Sequence, residues 1–318
     1  MAATSIGQPV IRPIRQLRRT QSFYKFLFRK LGLPLSVADS VIKGLKYAWN
    51  PGQGKVREEF AEALPPVAEA GRLQSSGYVT FTPDRFRDIE RVIATCRAEC
   101  DENAEVLRAR ADSKNFLISV VKDAGFIKLP DVFGLATSRE LIDLASVYFG
   151  RVPVLAGMSL WWTPPNDTFQ QSQMFHCDRE DRATLKIFFN IEPVTRDNGP
   201  FTLLPAEASD RVRADLDYHK RLSSRVTDEE FASLANLDDL VTLTGGAGLG
   251  ACVDTSRCFH YGSRGNTEPR LVLMIKYSDY LVPYADIPDW YSALRKAGIE
   301  LDDYQKLALG LKADGPPR

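Results

Sequence analysis

Two residue types that bind metals stand close together at one place in this chain: His176 is followed two positions later by Asp178. Residues 173–178 read as a strand, and side chains two apart on a strand point to the same face, so one imidazole and one carboxylate converge. Adding a second imidazole completes the two-histidine, one-carboxylate set that holds Fe(II) on one face and leaves three coordination positions open. The chain has only three histidines. His260 lies in another predicted strand, where a rolled sheet brings distant segments back together, and is the natural third ligand. His219 belongs to the charged stretch 217–221 and reads as a surface residue. A histidine and an aspartate at this spacing are weak evidence alone, and the flanking sequence decides their weight.

That flanking sequence is specific. Phe175-His176-Cys177-Asp178, the run Leu185-Lys186-Ile187-Phe188-Phe189-Asn190-Ile191, the hairpin Asn198-Gly199-Pro200-Phe201, and Phe259-His260-Tyr261-Gly262-Ser263-Arg264-Gly265-Asn266 with Pro269-Arg270 resemble the phytanoyl-CoA dioxygenase family over residues 75–280. The resemblance implies a mainly β fold with flanking helices and a double-stranded β-helix (jelly-roll, cupin-like) core. It also implies an Fe(II) centre on His176, Asp178 and His260, with 2-oxoglutarate as cosubstrate converted to succinate and CO2, and hydroxylation of a substrate C–H bond. The family places an arginine about ten residues after the distal histidine against the far carboxylate of 2-oxoglutarate, and Arg270 matches. A guanidinium stays charged and offers two parallel donors to a carboxylate. Ser263 is a candidate hydroxyl donor to the same group, whereas Arg264, in a Gly-Ser-Arg-Gly-Asn turn, is expected to face solvent. Related halogenases carry a small residue where this chain has Asp178, so the carboxylate favours hydroxylation. The chain departs from the family after the hairpin, reading Leu204-Pro205-Ala206-Glu207 where Pro-Gly-Ser-His is usual. That departure leaves the metal ligands intact and puts the local loop in doubt.

The elements that must position these groups change character along the chain. Residues 37–48 and 55–64 read as helices separated by Asn50-Pro51-Gly52, residues 77–81 as a strand, and 83–110 as one long helix with proline in its first turn. A further helix spans 138–149. Short β-branched or aromatic runs follow at 152–163, 173–178, 185–191, 201–204, 241–243, 249–253, 258–262 and 270–280, punctuated by turn residues. Such closely spaced strands predict a sandwich or barrel rather than alternating strands and helices. The expected organisation is a basic arm with helices over 1–65, an oxygenase domain over 66–285 with a helical insertion near 209–237, and a peripheral helical tail over 286–318. The glycine cluster 245–250 lacks the Lys-Ser/Thr ending of a phosphate loop and leads into a strand, so it makes turns. Lys186 and Asn190 share one strand face, and Trp161, Trp162, Gln171 and Gln173 are further candidates for the pocket wall.

Composition sets the class. The 318 residues are 44% hydrophobic and 26% charged, an ordinary globular balance with zero formal net charge. The charge is uneven: residues 1–38 hold seven basic and no acidic side chains. This basic arm, with its aromatic stretch 22–33, is an expected docking segment and a candidate for peripheral membrane contact. Five cysteines, an odd number without paired metal spacing, predict free thiols in a reducing, cytoplasmic setting and no zinc site. No apolar run is long enough to span a bilayer, and no nucleic-acid partner is expected; the expected partners are a small-molecule or acyl-type substrate and O2. The competing reading is a non-catalytic jelly-roll binding module that keeps a metal site.

Overall fold

The computed structural model describes residues 35–111, 116–179, 182–221, 223–281 and 287–313. The basic arm that suggested membrane contact lies outside these residues, and no described helix is long and apolar enough to cross a membrane.

Helices lead, as the pattern predicts. Leu35–Trp49 and Pro51–Glu62 meet at Asn50, where Pro51 enters the first turn of the second helix and needs no hydrogen-bond partner for its nitrogen. The single helix expected over 83–110 is broken. Pro83–Arg85 forms one 3-10 turn, and helices Ile89–Glu102 and Ala104–Ala111 follow. The second break falls at Asn103, whose side-chain amide donates to the Glu99 carbonyl at 2.8 Å, a local bond that competes with helix continuation. Arg139–Phe149 begins where Ser138 accepts from Leu141 N–H. A strand at Ile118–Lys122 and a helix at Pro130–Ala136 had no clear periodic signal.

Nine strands are described: β1 (Tyr78–Phe81), β2 (Ile118–Lys122), β3 (Val154–Thr163), β4 (Thr184–Asn190), β5 (Thr202–Leu203), β6 (Val241–Thr242), β7 (Gly250–Asp254), β8 (His260–Tyr261) and β9 (Arg270–Ser278). They form an antiparallel six-stranded sheet in the order β1-β7-β4-β9-β3-β2 and a smaller sheet in the order β6-β5-β8. This is the jelly-roll arrangement, in which two facing sheets leave a pocket between them.

Alternation along the strands sets the two faces of the large sheet. Leu185, Ile187 and Phe189 of β4, with Leu271, Leu273, Ile275 and Tyr277 of β9, point to the face covered by helices and join the main core. Lys186, Phe188 and Asn190, with Arg270, Val272 and Met274, point to the pocket. The register makes these two rows neighbours, pairing Phe188 with Met274 and Asn190 with Val272.

The C-terminal helices Trp290–Ala297 and Asp303–Ala308 are not peripheral. Trp290, Leu294, Tyr304 and Leu307 are buried in the main core, and the Trp290 indole donates to the Leu155 carbonyl at 2.9 Å. A buried cation joins them to the start of the fold. Arg57, only 1% exposed, donates to the carbonyls of Val152, Pro153 and Leu307 at 2.8, 3.2 and 2.7 Å. Its guanidinium also lies 4.9 Å from the Tyr280 ring. Replacing Arg57 with leucine removes all three of these bonds, although the Leu307 carbonyl keeps the Gly310 N–H at 2.9 Å, so Arg57→Leu is expected to destabilise the protein by about 1–3 kcal/mol. Urea unfolding of the two proteins checks this, and an unchanged midpoint would contradict it.

Candidate metal centre

His260 opens β8 on the small sheet, and His176 lies beside it in an isolated antiparallel bridge. The backbone closes this bridge twice, His176 N–H to His260 C=O at 3.1 Å and the reverse at 2.9 Å. The two rings face one another with centroids 4.2 Å apart. Segment 173–178 is therefore not the regular strand that the spacing suggested. Gln171–Gln173 is a 3-10 turn, and Asp178 lies in extended loop whose direction is set by its N–H donating to Thr255 C=O at 2.8 Å. The side chains converge all the same: the candidate ligand atoms of His176, Asp178 and His260 lie within 4.8 Å of one another.

Both imidazoles are prepared to accept a cation. His176 Nδ1 lies 2.8 Å from the Met174 carbonyl and His260 Nδ1 lies 2.9 Å from the Cys258 carbonyl. A carbonyl can only accept, so each Nδ1 carries the proton and each Nε2 presents its lone pair. Burial lowers both pKa values, that of His260 to about 4, which keeps the rings neutral. Burial alone would raise the Asp178 carboxyl; the Lys186 ammonium beside it opposes this and holds the group below the usual carboxylate range. Lys186 Nζ lies 2.7 Å from Asp178 Oδ2, while Oδ1 faces His176 Nε2 at 3.9 Å. Two neutral nitrogens and one anionic oxygen on one face suit a borderline dication such as Fe(II).

The pocket beside these groups has a volume of about 120 Å³, and Arg270 stands in its wall. Arg270 Nη1 donates to the Gly199 carbonyl at 2.6 Å and Nη2 to Ser263 Oγ at 2.5 Å, while its Nε is buried without a partner. Burial, with no acid to oppose it, pushes its pKa down to about 10. A buried guanidinium with an orphaned donor and no anion is a poor resting state, and a carboxylate entering the pocket would relieve it. The Asn-Gly-Pro hairpin serves this placement. Gly199 has φ +61°, and a Cβ there would come within 3.0 Å of Asn266 and 3.2 Å of the Arg264 backbone. Ser263 also takes a left-handed conformation, φ +63°, unusual for a residue with a side chain and typical of strained functional positions.

Other expectations divide. Lys186, Asn190 and Trp161 line the pocket, whereas Trp162 lines an adjoining hollow of about 150 Å³ with Arg97 and Glu192, which Arg270 also borders. Gln173 is fully buried and structural, donating to the Ser263 carbonyl at 2.7 Å and to Asn166 Oδ1 at 2.9 Å; Gln171 is exposed. Its neighbour Ser172 reaches the pocket instead. Arg264 does not face solvent. It stacks 3.4 Å from the Tyr261 ring centroid and donates to Gln173 C=O at 3.1 Å and Asp228 Oδ1 at 2.8 Å, so aromatic packing overrode the turn signal. Cys177 points away from the candidate ligands into a second core with Phe175, Tyr218 and Phe231, and His219 is exposed. All five cysteines are free thiols. The glycine cluster leads into β7, one strand before the one that carries His260.

No family model and no curated protein matches the chain. Among solved structures, it is similar to EctD from S. alaskensis with 2-oxoglutarate and 5-hydroxyectoine, at 18% identity and a TM-score of 0.51, over 69% of this chain and 78% of that one. It is similar also to the apo form of the same protein, at 19% identity and a TM-score of 0.50, over 72% and 84%. The shared architecture is the jelly roll with flanking helices.

Proposed function

We propose that this protein is a non-haem Fe(II)- and 2-oxoglutarate-dependent oxygenase that hydroxylates a C–H bond of a small-molecule or acyl-type substrate. The observation that carries the reading is the joint placement of His176, Asp178 and His260 within 4.8 Å and of an acid-free, enclosed Arg270 on one pocket. The solved structure of EctD with 2-oxoglutarate in the same fold supports it, as do the motifs that resemble the phytanoyl-CoA dioxygenase family.

In this reading His176 and His260 would hold iron through the Nε2 atoms left free by their Nδ1 bonds, and Asp178 through its carboxylate. Iron with 2-oxoglutarate and O2 supplies the oxidising power, and the protein supplies position and exclusion of bulk water. Lys186 keeps Asp178 Oδ2 occupied, so that the carboxylate offers one oxygen to the metal rather than two. Arg270 and Ser263 grip the far carboxylate of 2-oxoglutarate, with the Gly199 carbonyl fixing the fork of the guanidinium. Phe201, whose ring lies 5.1 Å from that of His260 in a stacked geometry, shields that ligand from water.

The test is succinate formation by the purified protein with Fe(II) and 2-oxoglutarate, compared with His176→Ala. Metal-dependent succinate in the wild type and background levels in the variant are expected. Equal rates in the two would sink the assignment.

A further inference from the structure

One cation beside the triad has no work in that scheme. Val226 forms an isolated antiparallel bridge with Phe175, its N–H donating to the Phe175 carbonyl at 2.9 Å. Running this register by one residue places Arg225 directly across from His176, which itself bridges His260 on its other side. Side chains opposite one another on adjacent antiparallel segments share a face. Arg225, His176 and His260 therefore stand in a row on the side that holds the triad. The position is braced: the Tyr218 hydroxyl accepts from Cys177 N–H at 2.9 Å and donates to the Ser224 carbonyl at 2.6 Å. One phenol thus ties the residue before Arg225 to the residue between His176 and Asp178.

The other cations near the triad are committed. Lys186 holds Asp178 Oδ2. Arg179 is spent on the carbonyls of Tyr218, Arg221 and Ser223, Arg264 on Gln173 and Asp228, and Arg270 faces the expected cosubstrate end. The Arg225 guanidinium is half-buried and makes no hydrogen bond or ion pair with any described residue. Among the described residues Asp178 is the one carboxylate that acts on it electrostatically, beside the Tyr218 hydroxyl, and that carboxylate is already shared. A half-buried guanidinium without a counter-ion is costly, and its planar fork matches a carboxylate or phosphate through two parallel bonds. Arg225 stands beside the pocket rather than in its lining, where Phe188, Leu243, Val272 and Met274 form an apolar stretch next to the polar Lys186, Asn190 and Arg270.

We propose that Arg225 anchors an oxyanion of the primary substrate beside the metal, so that the substrate is an apolar skeleton bearing a carboxylate or phosphate. This rests on the oxygenase reading and narrows its substrate class.

The probes are hexanoate, inorganic phosphate and the neutral isostere hexanamide. Each is titrated anaerobically into protein loaded with Fe(II) and 2-oxoglutarate, while the visible charge-transfer absorbance of that complex is followed. Hexanoate or phosphate is expected to perturb the band saturably, the stronger of the two identifying the oxyanion, with hexanamide much weaker. Arg225→Gln should weaken the anion by about tenfold or more, the scale of one charge-assisted contact, and Arg225→Lys by less. Equal anion binding in wild type and Arg225→Gln overturns the proposal. So does a matching loss of 2-oxoglutarate affinity, because Arg225 would then serve the cosubstrate. Failure of the wild type to form the band at all overturns the oxygenase reading beneath it, a result distinct from a normal band that ignores anions.

Discussion

Replacing Arg270 with methionine is expected to raise the dissociation constant for 2-oxoglutarate by about thirtyfold or more, the effect of about 2 kcal/mol for one partner of a desolvated charge pair. The guanidinium pairs with no carboxylate among the described residues, and its Nε is orphaned there. Its bonds to Gly199 and Ser263 aim the fork without neutralising it. Because an unpaired buried charge contributes little to folding, the melting temperature of Arg270→Met should fall little or rise. Metal affinity measured with Co(II) should persist, since Arg270 touches none of the three ligand side chains. Lysine at 270 should recover only part of the loss, having the charge but not the planar pair of donors. Anaerobic titration of 2-oxoglutarate reads all three proteins. Wild-type affinity in Arg270→Met would separate this pocket wall from the cosubstrate.

The second large effect concerns Asp178. In the proposed centre Asp178→Ala removes the one carboxylate of the candidate ligand set and at the same stroke exposes the Lys186 ammonium, 2.7 Å from the missing oxygen, to an incoming dication. Both changes weaken the metal, so the loss should exceed about a hundredfold, the upper end of what removal of an outer partner costs. Adding Lys186→Met to Asp178→Ala removes the repulsion and should restore part of the affinity, a non-additivity characteristic of contacting groups. Co(II) titration of the single and double variants measures it. A double variant that binds no better than Asp178→Ala would show that the ammonium is not felt at the metal position.

The triad was legible because histidine is scarce in this chain and because each ligand lies in a segment with its own strong pattern. Strand alternation accounts for only part of the convergence. Alternation along a strand was the argument for His176 and Asp178, yet Asp178 is steered by the Thr255 carbonyl, a contact between residues 77 apart in sequence that no local pattern encodes. The fold class followed from the density of short strands and turns. The missed strand at Ile118–Lys122 lies at the sheet edge with only Ile118 buried, so its hydrophobic signal is faint. Arg264 was misjudged because glycine and serine neighbours imply exposure, whereas the aromatic rings that hold it come from Tyr261 and from Phe169 and Phe175 far behind it. Arg225 gave no signal at all. Its significance is a matter of register across a bridge, visible only once Phe175 and Val226 are seen together.

The contact between Arg57 and the Leu307 carbonyl spans 250 positions of chain. During synthesis from the N-terminus, the helix that carries Arg57 leaves the ribosome long before its last acceptor exists. Until residues 290–307 emerge, that cation must remain hydrated, and the groove that Trp290, Leu294 and Leu307 fill stays open. Docking of this segment is thus a late event, and chains that end before Leu307 should be substrates for chaperones and proteases.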